Sequence, residues 1–409
     1  MRRHYPAYLA DRVMSNEEAL FHTVKPGAYI ASGFATSEPH TFYATLWDHI
    51  VSNDLYDINI RNALFLHPHR VLVGDAMKAR GVLRGKAAVL KSHDIFGTLA
   101  TRIDQATQKI DGLGRLIDHF RELQERRIKF VSAFLSPVQN MIIPNNPITR
   151  TLYPEYVGRN PSRMGIVDMQ SVHFPDAPDG IAYDQNGSPI ITVAVGVVTP
   201  PDEHGDMSLG LANGATIEMA EIAMNSPRIQ MLLYVNPKYP FTRGWHDSPN
   251  TISVHDPRLK RMAEEGRLFV VEDHGKLPSL PANSFSNQAE VERKIAENVV
   301  NHIEVNRHLT YGRAIQVGIG GTGVLAIAGL RDSSWTGRMY TEMLEPFTMD
   351  LWERGKIAGT HFIEKDGTRV QCDRKMVCTF TLCEEGSGFY QKLDNNPDII
   401  IASAARVVV

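Results

Sequence analysis

The chain has 409 residues, 43% hydrophobic and 22% charged, enough for two domains with a substantial core. A formal charge of −3 supplies no electrostatic reason to expect nucleic acid or an anionic membrane as partner. Its three cysteines, Cys372, Cys378 and Cys383, are too few and too clustered for a disulfide framework, which points to a reducing, cytoplasmic compartment.

From the N-terminus, Arg2 and Arg3 have no apolar segment behind them, so no secretory signal is expected. No later stretch approaches the ~18 apolar residues that span a bilayer. Ser15-Asn16-Glu17-Glu18 has capping-box spacing and opens a helix to about residue 24. Pro26-Gly27 then turns the chain into a strand over 28–32. Phe42, Leu46 and Ile50 suit a helix, and residues 57–65 alternate like a strand. Ile110, Leu113, Ile117, Phe120 and Leu123 mark a further helix by their three-and-four spacing, before a buried strand over 129–135. Residues 137–189, rich in Pro, Asn, Asp and Gly, read as long loops with short strands.

Regularity resumes at 189–198, a β-branched run typical of a parallel strand covered on both faces. A helix over 213–224, a buried strand over 229–235 and a Pro- and Gly-rich loop over 236–250 follow. Pro278 and Pro281 punctuate the candidate domain boundary, residues 275–283, and a helix over about 288–307 leads on from it. Strands are expected at 377–382 and 399–402, with a helical turn at 388–393 between them. The alternation argues for an α/β fold of two tandem open sheet domains, residues 1–275 and 285–409. The chain stops in an apolar run ending Val407-Val408-Val409, and the second domain is expected to be truncated there.

Residues 313–355 concentrate the chemistry. A strand leads into GIGGTG, residues 318–323; a short apolar helix follows, then a second strand with Glu342 at its end. The pattern G-x-G-x-x-G with an acid about twenty residues on matches the dinucleotide fingerprint, the loop cradling a pyrophosphate and the acid on a ribose hydroxyl. That keeps an NAD- or FAD-dependent oxidoreductase open, and a tight strand-to-helix turn without a ligand is the plain alternative. Elsewhere, Asp202-Glu203-His204 reads as a hydrogen-bonded turn, since no second His stands at metal-ligand spacing. Asn236, Lys238 and Arg243 follow a strand and suit a phosphate or a carboxylate. His67 and His69, on either side of Pro68, read as turn chemistry. No G-x-S-x-G elbow supports a serine hydrolase, and no Cys-x-x-Cys pair supports redox chemistry.

In their order along the chain these pieces resemble the acetyl-CoA hydrolase/transferase family, a branch of the class I CoA-transferases that includes 4-hydroxybutyrate and succinate:acetate CoA-transferases. The resemblance is carried by Asp11-Arg12-Val13-Met14-Ser15, Pro26-Gly27, Gly33-Phe34, the segment PPDEHGDMSLG at 200–210, Asn236-Pro237 with Arg243-Gly244, Gln316-Val317-Gly318-Ile319-Gly320, Thr341-Glu342-Met343 and Asn395-Asn396-Pro397. Tyr340 stands where the family usually has His, and the family continues past this chain's end into a further glycine loop. The resemblance implies sheet domains of the CoA-transferase type, a fold class that also hosts sugar-phosphate isomerases.

It also implies that Glu342 is a nucleophile toward an acyl-CoA thioester, with Gly318, Ile319, Gly320 and Gly321 supplying oxyanion and CoA contacts. Asn236, Lys238 and Arg243 would anchor CoA phosphates or the acid's carboxylate. The expected partners are acyl-CoA and a small carboxylic acid, with coenzyme A as substrate, no bound metal or redox cofactor, and assembly as a homo-oligomer. A non-catalytic acyl-CoA-binding relative is the remaining alternative.

Overall fold

In the computed structural model, residues 5–75, 118–134, 166–280, 290–357 and 360–403 are described, with residues 115 and 284, apart from 66, 68, 171, 185, 246–247, 319, 366–367 and 374. Among the described residues, eight parallel strands form the larger sheet: β1 (Val13–Met14), β2 (Tyr29–Ser32), β3 (Asn59–Arg61), β4 (Lys129–Ser132), β5 (Val167–Met169), β6 (Val193–Val198), β7 (Gln230–Val235) and β8 (Leu268–Glu272). Their order is β1-β8-β7-β6-β2-β3-β4-β5. Chain direction through the sheet reverses between β2 and β6, the kind of position where loops part and leave a crevice.

Local chemistry explains the elements. Ser15 and Glu18 form the reciprocal capping box that starts α1 (Asn16–Thr23), with bonds of 3.2 and 2.9 Å. Every residue of β6 is buried, as its β-branched run requires of a central parallel strand. Phe42, Leu46 and Ile50 bury one face of α2 (His40–Ser52). The helix α3 (Thr216–Asn225) does the same with Ile217, Ala220 and Met224.

Several elements differ from the sequence expectation. The strand expected over 57–65 is only β3, because Asn62 turns the chain by taking the Leu64 N–H at 2.8 Å. Residues 118–125 are helical, whereas Ile110, Leu113 and Ile117 lie outside the described residues, as does all of 137–165. The part of the expected loop that is described contains a helix, Ala177–Ala182. A helix, α4 (Pro257–Glu264), and the strand β8, next to the edge strand β1, were not expected. Asp256 caps α4 and Pro257 opens it, a start signal set inside a run of charges.

Among the described residues, four parallel strands form the second sheet, in the order β9 (Ala314–Ile315), β10 (Arg338–Leu344), β11 (Met376–Thr381), β12 (Ile399–Ile401). The helix α5 (Glu290–Val305) packs on α6 (Gly321–Leu330), and α7 (Pro346–Glu353) follows β10. A hairpin, Thr360–Lys365 with Thr368–Asp373, was also not expected.

The two sheets meet through loops that the 200–250 region supplies. Leu211 C=O accepts the Thr381 N–H and hydroxyl at 2.9 and 2.7 Å, and Asn213 N–H donates to Thr379 C=O at 3.1 Å. Ser208 braces these loops: its hydroxyl donates to Thr242 C=O at 2.7 Å and accepts the Gly210 and Thr242 N–H groups. Gly214 must be glycine here. Its φ is +57°, and a Cβ would stand 3.0 Å from Phe34 and 3.2 Å from Phe380, whose rings meet across the junction.

Candidate active site

The pleat of β10 puts Tyr340 and Glu342 on one face and Thr341 and Met343 on the other. Glu342 is half-buried. It is the fifth of the strand's seven residues rather than its end, because β10 runs on through Met343 and Leu344. Thr341 ties the preceding loop to this strand. Its buried hydroxyl accepts the Val317 N–H at 2.9 Å and lies 2.8 Å from Val317 C=O, which also takes the Met343 N–H at 3.2 Å.

Fixing Val317 fixes Gly318, and there the backbone meets the acid. A Cβ on Gly318 would lie 3.1 Å from Glu342 Oε2, so this carboxylate rests against the bare edge of the loop. Ile319 lies outside the described residues. Gly320 precedes α6 with φ 165° and ψ 152°, extended backbone with open space among the described residues where a Cβ would go, and as the N-cap residue it has no side chain to cap the helix. The N–H groups of the first turn, from Gly321 onward, therefore receive no N-cap side chain from Gly320, at the positive end of a ten-residue helix. Gly323 has another task. Its Cβ would stand 2.9 Å from Val317 Cγ1, so its absence lets helix and strand approach.

Glu345, three residues on, marks the real end of the strand. It is fully buried and caps α7, accepting the Phe347 and Thr348 N–H groups at 2.6 and 3.1 Å and the Thr348 hydroxyl at 2.8 Å. Burial pushes its carboxyl up to about 7, against the pull of those hydrogen bonds. The sequence reading passed over Glu345; its position before Pro346 and an apolar turn was the available signal. The two acids thus separate by role: Glu345 is consumed by the fold, and Glu342 stands at the glycine edge. An anionic pyrophosphate on the same edge would meet the Glu342 carboxylate, which disfavours the dinucleotide arrangement.

The other expected anchors lie on the loop after β7. Asn236 is buried and donates to Asp273 at 3.0 Å and to Gly275 C=O at 3.3 Å. Lys238 donates to His274 C=O at 2.6 Å and Gly275 C=O at 3.2 Å, so these two hold the segment after β8. Arg243 is about half exposed, pairs with Asp202 at 3.3 Å and lies over the Phe241 ring. Asp202 itself accepts the His204 and Asp206 N–H groups, both at 2.9 Å, and closes a turn. The backbone of Arg243 receives the Ile401 N–H at 3.0 Å, which brings this loop to the second sheet. Trp245, from the same loop, has its ring 6.0 Å from that of Tyr340, on the Glu342 face of β10.

No protein-family model and no curated protein matches the chain. Among solved structures it is similar to RipA from Yersinia pestis, with a TM-score of 0.63 and 19% identity, over 99% of this chain and 70% of that one. It is also similar to 4-hydroxybutyrate CoA-transferase from Porphyromonas gingivalis, with a TM-score of 0.55 and 18% identity, over 97% of this chain and 68% of that one. At such identities the likeness is one of fold: an α/β architecture with a large parallel sheet, shared with CoA-transferase-fold proteins.

Proposed function

We propose that the chain moves CoA from an acyl-CoA to a carboxylic acid, or hydrolyses the acyl-CoA, with Glu342 as the nucleophile. One observation carries this reading: the Glu342 carboxylate lies against the side-chain-free edge of Gly318, just ahead of the uncapped start of α6. A carboxylate so placed attacks the thioester carbonyl of a substrate laid along the loop. The acyl group passes to Glu342 as a mixed anhydride and CoA leaves as its thiolate.

The thiolate then attacks the glutamyl carbonyl, forming a glutamyl-CoA thioester and releasing the first acid as its carboxylate. A second carboxylate reverses both steps and leaves as the new acyl-CoA; water attacking instead gives hydrolysis and free CoA. Each addition builds an oxyanion, and backbone N–H groups of the Gly318–Gly321 loop are its donors in this scheme. Arg243 and Lys238, exposed beyond β7, are the candidates for CoA phosphates, and Asn236 positions Lys238 by accepting its N–H at 3.0 Å.

Incubation with an acyl-CoA followed by intact-mass analysis tests the scheme. Wild-type protein is expected to gain the mass of CoA less water, and Glu342→Ala is expected to gain nothing. An adduct of that mass surviving in Glu342→Ala would refute the assignment.

A further inference from the structure

Glu38-Pro39-His40 and His67-Pro68-His69 are two Pro-centred triplets set 29 residues apart, Glu38 to His67, yet their ligand side chains come to one place. They follow β2 and β3, neighbouring parallel strands paired Tyr29↔Asn59 to Ala31↔Arg61, so both loops leave the same edge of the larger sheet. His67 Nδ1 and His69 Nε2 each lie 3.1 Å from a single oxygen, Oε2 of Glu38. His40, the first residue of α2, sets its ring 4.3 Å from that of His67 and 5.3 Å from that of His69. One ligand atom from each of the four side chains lies within 4.8 Å of the other three.

Burial makes this group hard to read as ordinary packing. Glu38 is fully buried, His69 is nearly so, and Nε2 of His40 is buried with no hydrogen-bond partner among the described residues. A buried imidazole nitrogen left unpaired needs an explanation, and a bound ion is one of the recognised ones. A tetrahedron with arms of ~2.1 Å has edges of roughly 3.4 Å. The two 3.1 Å separations to Glu38 already approach that edge, and the widest separation needs rotamer-scale closure only. Tyr43 backs the cluster, its ring 4.8 Å from that of His69 and its hydroxyl held by Ser32 at 2.6 Å, which restricts that imidazole.

We infer that Glu38, His40, His67 and His69 form a binding site for a divalent transition metal of the zinc class, coordinated by three imidazole nitrogens and one carboxylate oxygen. Three neutral nitrogens and one oxygen suit a borderline cation. Four protein ligands in a buried setting describe a closed site that clamps the β2 and β3 loops together rather than one with an open position for substrate. The inference stands apart from the CoA reading, since none of its ligands lies on β10 or the Gly318 loop.

Zn2+ titrated calorimetrically into the chelator-stripped full chain tests it, with elemental analysis of the protein as purified. One equivalent is expected, together with a higher Tm. His67→Ala, at the partly exposed rim, and Glu38→Gln, which preserves shape, are each expected to weaken Zn2+ by more than ~100-fold, beyond the loss from a supporting partner alone. His204→Ala, at an exposed turn, and Glu342→Ala are expected to bind as wild type. Far-UV circular dichroism accompanies each variant. Failure of the folded wild type to take up Zn2+, or unchanged affinity in folded His67→Ala and Glu38→Gln, would overturn the inference and leave a hydrogen-bonded histidine cluster. Loss of the CoA adduct with intact Zn2+ binding would overturn only the catalytic proposal.

Discussion

Adding one methyl group at Gly318 should slow the chemistry, and adding one at Gly320 should not. At Gly318 the new Cβ would stand 3.1 Å from Glu342 Oε2, inside ordinary van der Waals contact, so the acid must retreat by a few tenths of an ångström. A 1 Å misplacement of a reacting group costs on the order of 100-fold, so this retreat alone is worth roughly fivefold. A methyl that also screens a backbone donor from the oxyanion would raise the loss to ~100-fold or more. At Gly320 there is open space and an extended φ of 165°, so alanine meets no clash and no strained backbone, and costs at most ~1 kcal/mol at a helix cap. Rapid-quench measurement of CoA-adduct formation in the two variants, with circular dichroism as a control for folding, reads the difference. Slowing confined to Gly318→Ala is the expected result. Equal slowing in both, or slowing in Gly320→Ala alone, would refute the contact argument.

Thr341→Val keeps the volume but strips Val317 of its hydroxyl partner, which should cost ~1–3 kcal/mol in denaturation and slow adduct formation because Gly318 is the next residue. Glu345 gives a pH signature. Its folded-state pKa of about 7 lies above the ordinary 4.5, so its contribution to stability is complete below about 4.5 and is lost as pH rises through 7. Relative to Glu345→Gln, the wild type should lose on the order of 3 kcal/mol between pH 4.5 and 8, measured by urea unfolding at each pH. Phe380→Ala removes a buried ring from the junction between the sheets and should lower stability by ~3–5 kcal/mol, read from the denaturation midpoint.

The legible parts of the sequence were those where one segment carries its own instruction. Ser15 and Glu18 announce a helix start, and the run ending at Val198 announces a covered parallel strand, because caps and burial are written locally. The glycine loop and Glu342 were legible for the same reason, being two signals of one strand-helix-strand unit. By contrast, α4 was hidden because Arg258, Lys260 and Arg261 mask the short apolar face of that helix. The edge contact at Gly318 was not legible, since it depends on Thr341 pinning Val317 from the neighbouring strand. The Glu38 and histidine cluster was hidden by distance. Neither triplet has metal-ligand spacing by itself, and only the pairing of β2 with β3 brings them together.

Glu342 and Glu345 are three residues apart, and the central claim is that only the first becomes acylated. Trapping the intermediate with hydroxylamine after incubation with acyl-CoA, then mapping peptides by mass spectrometry, converts an activated glutamyl group into a hydroxamate at its own position. The hydroxamate is expected at Glu342 and nowhere else, because the fold consumes Glu345 as a buried cap. A hydroxamate at Glu345 or at any other acid, with Glu342 unmodified, would contradict the account.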